Sequence, residues 1–477
     1  MSAKLENVAL LGAAGAPGYD IAIENGLISM IAPSSAASPP RCLAMSALAN
    51  AHDHARPLSP TSFGGAGKPL ETWLLRLGAM PSVDPYLAAL AAFGRAARAG
   101  VASVMAHYVR PQGPAPLIDE AREVARAAAA VGVRVTLAIA LRDRNPIVYG
   151  PSDSVLDALP AEARAIVEAQ YLGAMPGVEE QVARVEAIAS AVESPTFTVE
   201  FGPSGAQWCS DALLQAIASA SAASGRRVHM HCLETMYQRA FADAAYPEGL
   251  IPRLQALGLL NERLALAHCV YARPDELDAI ARAGAVIVTN ASSNLHLRSG
   301  VAPIGEAIAR GCRVAIGVDA SALDEDDDAL REMRLAHFLH GGWGFETVIE
   351  REPFLAAIVA NGRFANGAPG SGALAVGEPA DILVLDLARL DRDAIMPVAP
   401  IDLVFARASL AHVERLIVAG REIVTEGRLV GVDLEATHEA LRAAYRAGMP
   451  ARAPFLAAFG ALEAGAAAFY RSRLGCC

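Results

Sequence analysis

At 477 residues the chain exceeds a single small domain and can bury a large core with appendages. A hydrophobic share of 53% against 19% charged residues excludes a disordered protein. The net charge of −11 argues against nucleic acid or an anionic membrane as a partner held by general electrostatics.

The seven cysteines (Cys42, Cys209, Cys232, Cys269, Cys312, Cys476, Cys477) are scattered and form no C-x-x-C pair, which speaks against a disulfide framework or a thiolate zinc site. The first residues include an acidic one and carry no apolar secretory core, and arginines interrupt each long apolar run. These features predict a cytoplasmic protein with no membrane span.

Taken in order, Asp20–Ile28 reads as a hairpin turning at Asn25-Gly26. From about residue 43, helical patterns alternate with short apolar runs for some 320 residues. Helices run into Gly100, Gly132, Gly225, Gly284 and Gly311, the usual place for a left-handed cap. The strand candidates are 43–49, 101–107, 133–141, 197–202, 228–233, 264–268, 285–289 and 314–317. Eight alternating strand and helix units predict an α/β fold closed as a (β/α)8 TIM barrel, with a doubly wound open sheet as the alternative.

Residues 144–178, with their prolines and glycines, read as a long loop over the site. After Asn366 short strands return, among them 380–386 and a hairpin of 413–418 with 423–425, and these are expected to join the first strands. The expected organisation is a small discontinuous β-sandwich domain (1–45 and 367–432), a barrel (46–366) and a C-terminal helical tail (433–477) with packing or oligomer contacts.

Barrel enzymes carry their chemistry at the C-terminal ends of the strands. The first candidate strand runs into His52 and His54, two apart and so on one face. The fifth carries His231 with Glu234 three residues later, the sixth ends in His268 and the eighth in Asp319. Histidine and carboxylate converging from four strand ends point to a metal site. His229, two before His231, reads as a core or supporting histidine, and His107 ends the second strand.

These motifs resemble the amidohydrolase superfamily, in its cytosine-deaminase-like and chlorotriazine-hydrolase-like branch. They are Asn50-Ala51-His52-Asp53-His54, Pro69–Leu74, His229–Thr235, Ala267–Val270, Thr289–Leu295, Gly317-Val318-Asp319 and Gly377–Asp386. The resemblance implies one divalent metal, zinc or else iron, held by His52, His54, His231 and Asp319. It further implies Glu234 as proton shuttle and His268 as the group polarising the substrate, with Asp319 also taking a proton from water. A metal that lowers the pKa of its bound water to about 7 suits such an assignment. The fourth strand has no lysine to carry a bridging carbamate; Glu200 could bridge a second metal or be held by an arginine.

Substrate contacts are expected from Trp73, His107, Arg142, Gln207 and His268, with Arg142 or its neighbour Arg144 gripping a carboxylate or enol oxygen. The expected activity is hydrolytic deamination of a small-molecule pyrimidine, purine or triazine, releasing ammonia, by a homo-oligomer. Hydrolysis of another C–N or C–Cl bond on a related ring or cyclic amide, and a catalytically silent scaffold, are the alternatives. Asp53 between the ligand histidines and Ala320-Ser321-Ala322-Leu323 after Asp319 depart from nucleoside deaminases, which puts an adenosine-type substrate in doubt.

Overall fold

In the computed structural model, residues 2–12, 18–113, 115–320 and 322–473 are described. Two eight-stranded sheets organise them. One contains β1 (Ser2–Leu10), β2 (Tyr19–Glu24), β3 (Leu27–Pro33) and β4 (Cys42–Ser46). The other is β5 (Leu48–Asp53), β6 (Val101–Tyr108), β7 (Arg134–Leu141), β8 (Phe197–Pro203), β9 (Val228–Cys232), β10 (Leu264–His268), β11 (Val286–Thr289) and β12 (Arg313–Ile316). A short hairpin, β13 (Gly342–Trp343) and β14 (Glu346–Thr347), precedes the last strands of the first sheet. Those are β15 (Ile382–Asp386), β16 (Val413–Val418), β17 (Arg421–Thr425) and β18 (Arg428–Leu429).

The second sheet runs β5 to β12 in chain order, and its paired neighbours are parallel. It closes through the main chain, where Val318 and Asp319 N–H both donate to the His52 carbonyl at 3.1 and 2.9 Å. The strands are apolar along nearly their whole length because the barrel interior covers one face and helices the other. Gly132, Gly225 and Gly284 close their helices with φ of 93°, 73° and 69°, as their spacing predicts.

The discontinuous β domain is present as one hydrogen-bonded sheet, ordered β18-β17-β16-β15-β4-β1-β2-β3. Its core includes Leu5, Ile21, Ile23, Ile28, Ile382, Val384 and Ile417.

Two expectations need correction. The run 43–49 is not one strand: β4 belongs to the small sheet, and β5 begins the barrel after the single residue Ala47. Residues 144–178 are not a loop, since they hold the helices Asp153–Leu156 and Ala161–Tyr171. The segment Leu434–Arg473 passes for a membrane span by length and composition alone. It forms two helices, Leu434–Gly448 and Ala453–Arg473, that pack on the protein. Leu441 and Tyr445 of the first join Phe63 and Met80, and Phe455, Phe459, Leu462 and Phe469 of the second join Leu75, Tyr149 and Val167. Cys476 and Cys477 lie outside the described residues.

Candidate active site

β5 delivers His52 and His54, β9 His231, and the turn after β12 Asp319. Each histidine is fixed by one ring nitrogen and presents the other. His52 Nδ1 faces His229 Nε2 at 2.9 Å, His54 Nδ1 donates to the His107 carbonyl at 2.8 Å, and His231 Nδ1 donates to the Ser204 carbonyl at 2.8 Å. Their Nε2 atoms then converge: His231 lies 3.4 Å from His54, and Asp319 Oδ1 lies 3.3 Å from His54 and 3.6 Å from His52. His52 Nε2 is buried without any hydrogen-bond partner among the described residues.

Two imidazole lone pairs 3.4 Å apart repel unless something positive lies between them. Donors about 2.1 Å from a tetrahedral ion stand about 3.4 Å from one another, so this set fits a divalent metal. Burial, then the neighbouring imidazoles, pull His52 and His231 far below the ordinary histidine range, so both rings are neutral, as a metal would require. Burial pushes Asp319 up, but the hydrogen bond and charge of His54, the charge of His268 and the Ser293 hydroxyl outweigh it and keep the carboxylate ionised. That hydroxyl donates to Asp319 Oδ2 at 2.6 Å, leaving Oδ1 for the metal-facing side.

Local backbone is distorted to aim these groups. His268 and Asp319 adopt left-handed φ of 76° and 60°, a conformation costing a non-glycine residue on the order of 1–3 kcal/mol. Gly317 is required by close approach: a Cβ there would stand 2.1 Å from Asn290 Oδ1 and 2.6 Å from His52 Cβ.

Glu234 follows β9 and is 2% exposed. Burial raises its carboxyl to about 7 against the opposing charge of His268. Ser299 donates to its Oε1 at 3.1 Å, and Oε2 lies 3.6 Å from His268 Nε2. His268 Nδ1 lies 2.8 Å from Asn294 Oδ1, which turns Nε2 inward. The catalytic residues implied by the sequence thus surround one point.

The expected substrate contacts divide. His107 is buried against the ligands, its ring centroid 4.8 Å from that of His231, and burial lowers it to about 3. Trp73 is buried with Leu70 and Leu297 beside Ala320, under the Arg56 guanidinium. Gln207 is buried with Nε2 unpartnered. Arg142 is exposed and lines a separate cavity with Gln170, Tyr171, Gln181 and Arg184, to which no histidine contributes. Arg144 is engaged with the Ala206 carbonyl and Tyr246 Oη.

Asp53 does not face the reacting centre: it accepts from Asn50 Nδ2 and the Ala55 N–H at 2.8 and 2.6 Å, bracing the turn that carries His54. Glu200 is not held by an arginine, as both of its oxygens are buried without a partner among the described residues.

Sequence reasoning did not single out Arg56, Ser293, Asn294 or Ser299. It also missed Glu71, a buried carboxylate accepting from Thr235 and Tyr149 at 2.5 and 3.2 Å. Glu71, Ser293 and Asn294 lie within motifs that carry the resemblance; Arg56 has no such signal.

A parallel barrel with three imidazoles and a carboxylate converging at its strand ends is the architecture of a barrel metalloenzyme. The Amidohydrolase family model matches residues 43–423, and the chain belongs to that family. Among its relatives is a 5-methylthioadenosine/S-adenosylhomocysteine deaminase of Nitratidesulfovibrio vulgaris, 33% identical over 217 residues, 45% of this chain and 49% of that protein. A 5'-deoxyadenosine deaminase of Methanopyrus kandleri is 29% identical over 246 residues, 49% of this chain and 55% of that protein. The chain thus spans about half the length of these curated relatives. A longer match, to the 5-methylthioadenosine/S-adenosylhomocysteine deaminase of Desulforudis audaxviator, is 28% identical and covers 87% of this chain and 91% of that protein.

Among solved structures, an adenosine deaminase from Xanthomonas campestris with bound zinc has a TM-score of 0.76 at 22% identity, covering 94% of this chain and 99% of that one. A zinc complex of an atrazine chlorohydrolase from Arthrobacter aurescens has a TM-score of 0.71 at 19% identity, covering 93% and 99%. At these identities the likeness concerns the fold.

Proposed function

We propose that the protein deaminates an amino-substituted nitrogen heterocycle by water attack, releasing ammonia. The observation that carries this reading is the convergence of His52, His54, His231 and Asp319 beside Glu234, whose carboxyl burial raises to about 7, and the inward Nε2 of His268. A divalent ion held by the four donors, zinc or else iron, would acidify its bound water to near neutrality.

This chain's own groups do the rest. Ionised Asp319 can take a proton from the attacking water. Glu234, at about 7, can give a proton to a ring nitrogen and later to the departing amine, a transfer worth about 10²–10⁴-fold in rate. His268 can stabilise the charge that develops on the oxygen of the tetrahedral intermediate. Trp73, His107 and Gln207 line the substrate's place, while Arg142 belongs to a separate cavity. The two nucleoside departures now weigh less, since Asp53 braces the turn that carries His54 and relatives named for adenosine derivatives are among the matches. A purine ring therefore stands beside pyrimidine and triazine. The setting is cytoplasmic and the enzyme a homo-oligomer.

Ammonia release across aminopyrimidines, aminopurines and aminotriazines tests the reading. It expects release from at least one class; chloride release from a chlorotriazine with no ammonia from any amine would replace it.

A further inference from the structure

Buried arginines elsewhere in this acidic chain meet carboxylates: Arg134 and Arg363 share Asp381, and Arg239 holds Glu276. Two at the barrel mouth, buried Arg56 and half-buried Arg110, do not. Arg56, two residues past His54, is 8% exposed and makes no ion pair or side-chain hydrogen bond among the described residues; its Nε is buried without a partner. Arg110, two residues past β6, donates to the Met80 carbonyl but leaves a buried Nη1 unpartnered. The third donor is the Tyr445 hydroxyl, 3% exposed, also buried and unpartnered, arriving on the C-terminal helix Leu434–Gly448.

The three are neighbours. Tyr445 packs with Met80 in one apolar cluster and the Met80 carbonyl takes the Arg110 guanidinium, while Arg56 lies in the field of Arg110, Tyr445 and the Asp319 and Asp53 carboxylates. Arg56 also lies over the Trp73 ring, 5.1 Å from its centroid, which orients the planar guanidinium. Three elements remote in sequence thus bring donors, two of them cationic, to the barrel mouth, where neither Asp319 nor Asp53 pairs with them. Leaving such groups dry and unpaired is unfavourable, and a ligand's anionic oxygens would relieve it. A divalent ion at the neighbouring donors would add to the positive field. A flat guanidinium edge suits a flat two-oxygen group.

We propose that Arg56, Arg110 and Tyr445 form a subsite for a carboxylate on the substrate, so that the ring processed at Asp319 carries an acid group. This rests on the deamination reading for the identity of the ring, but not for the subsite itself. The test is calorimetric binding of 2-aminopyrimidine-5-carboxylate and of its carboxamide to the zinc-loaded full-length protein.

The carboxylate should bind about tenfold tighter or more, the worth of one charge-assisted hydrogen bond. Arg56→Gln should erase that preference, Arg56→Lys should keep part of it, and Tyr445→Phe should reduce it while preserving the ring's packing. Should Arg56→Gln fail to fold, Tyr445→Phe and Arg110→Gln decide. Equal affinities in the parent protein, no binding of either compound, or an undiminished preference in the folded variants overturns the subsite. A carboxylate preference with no ammonia from any amine would keep the subsite and sink the deamination; equal turnover of neutral and acidic rings would do the reverse.

Discussion

His52 is useful as a ligand only in one tautomer and one orientation, and its neighbour His229 sets both. Removing that partner, as in His229→Ala, should weaken metal retention by about 10–100-fold, the usual effect of losing a ligand's orienting group. Competition with a chelator measures it; unchanged retention would show that His52 needs no support. Glu234→Gln separates binding from chemistry. Ammonia release should fall by about 10²–10⁴-fold or more while elemental analysis finds the metal still bound. Glu200 offers a pH test without a substrate. Burial raises its carboxyl from 4.5 to about 8, so the folded protein holds a proton that the unfolded chain releases above pH 4.5. Stability is therefore undiminished below the unfolded value and falls as pH rises towards 8, by about 1.4 kcal/mol per unit at most. Glu200→Gln removes this loss, so its melting temperature should exceed the parent's by a margin that grows between pH 5 and pH 8. A margin independent of pH would refute it.

At the scale of elements, the barrel strands were readable because their ends carry the chemistry and their helices end in glycine. The run 43–49 misled because Ala47, which separates two strands of different sheets, is neither glycine nor proline and gives no turn signal. In 144–178 the prolines read as loop residues, yet Pro160 sits at the N-cap of Ala161–Tyr171, where a proline starts a helix without breaking it. That helix and the terminal Ala453–Arg473 pack together over Leu75 and Val167. Leu462, fully buried there, is the test: Leu462→Ala should cost about 2–5 kcal/mol and speed hydrogen exchange in 161–171. Exchange unchanged in that helix would mean the terminal helix does not hold it.

Across the whole molecule, what the sequence could show was local in the chain and what it could not was assembled from afar. His52 and His54, or His231 and Glu234, announce themselves by spacing. Arg56, Arg110 and Tyr445 are each an ordinary residue until β5, β6 and the C-terminal helix bring them together. Ser293, Asn294 and Ser299 were hidden differently: short polar residues after β11 look like any loop until they are seen bonded to Asp319, His268 and Glu234. Only at this scale does the terminal segment find its packing partners, Phe63 and Met80 for its first helix and Leu75 and Val167 for its second.

On the proposed reading, one divalent ion at His52, His54, His231 and Asp319 is what would support ammonia release. Titrating chelator-stripped protein with zinc, while following both bound metal and ammonia release from the best amine, tests it directly. Activity should be absent at the start and rise in step with binding to a single equivalent. Ammonia release by the stripped protein, or activity that appears only with a second equivalent, would contradict it.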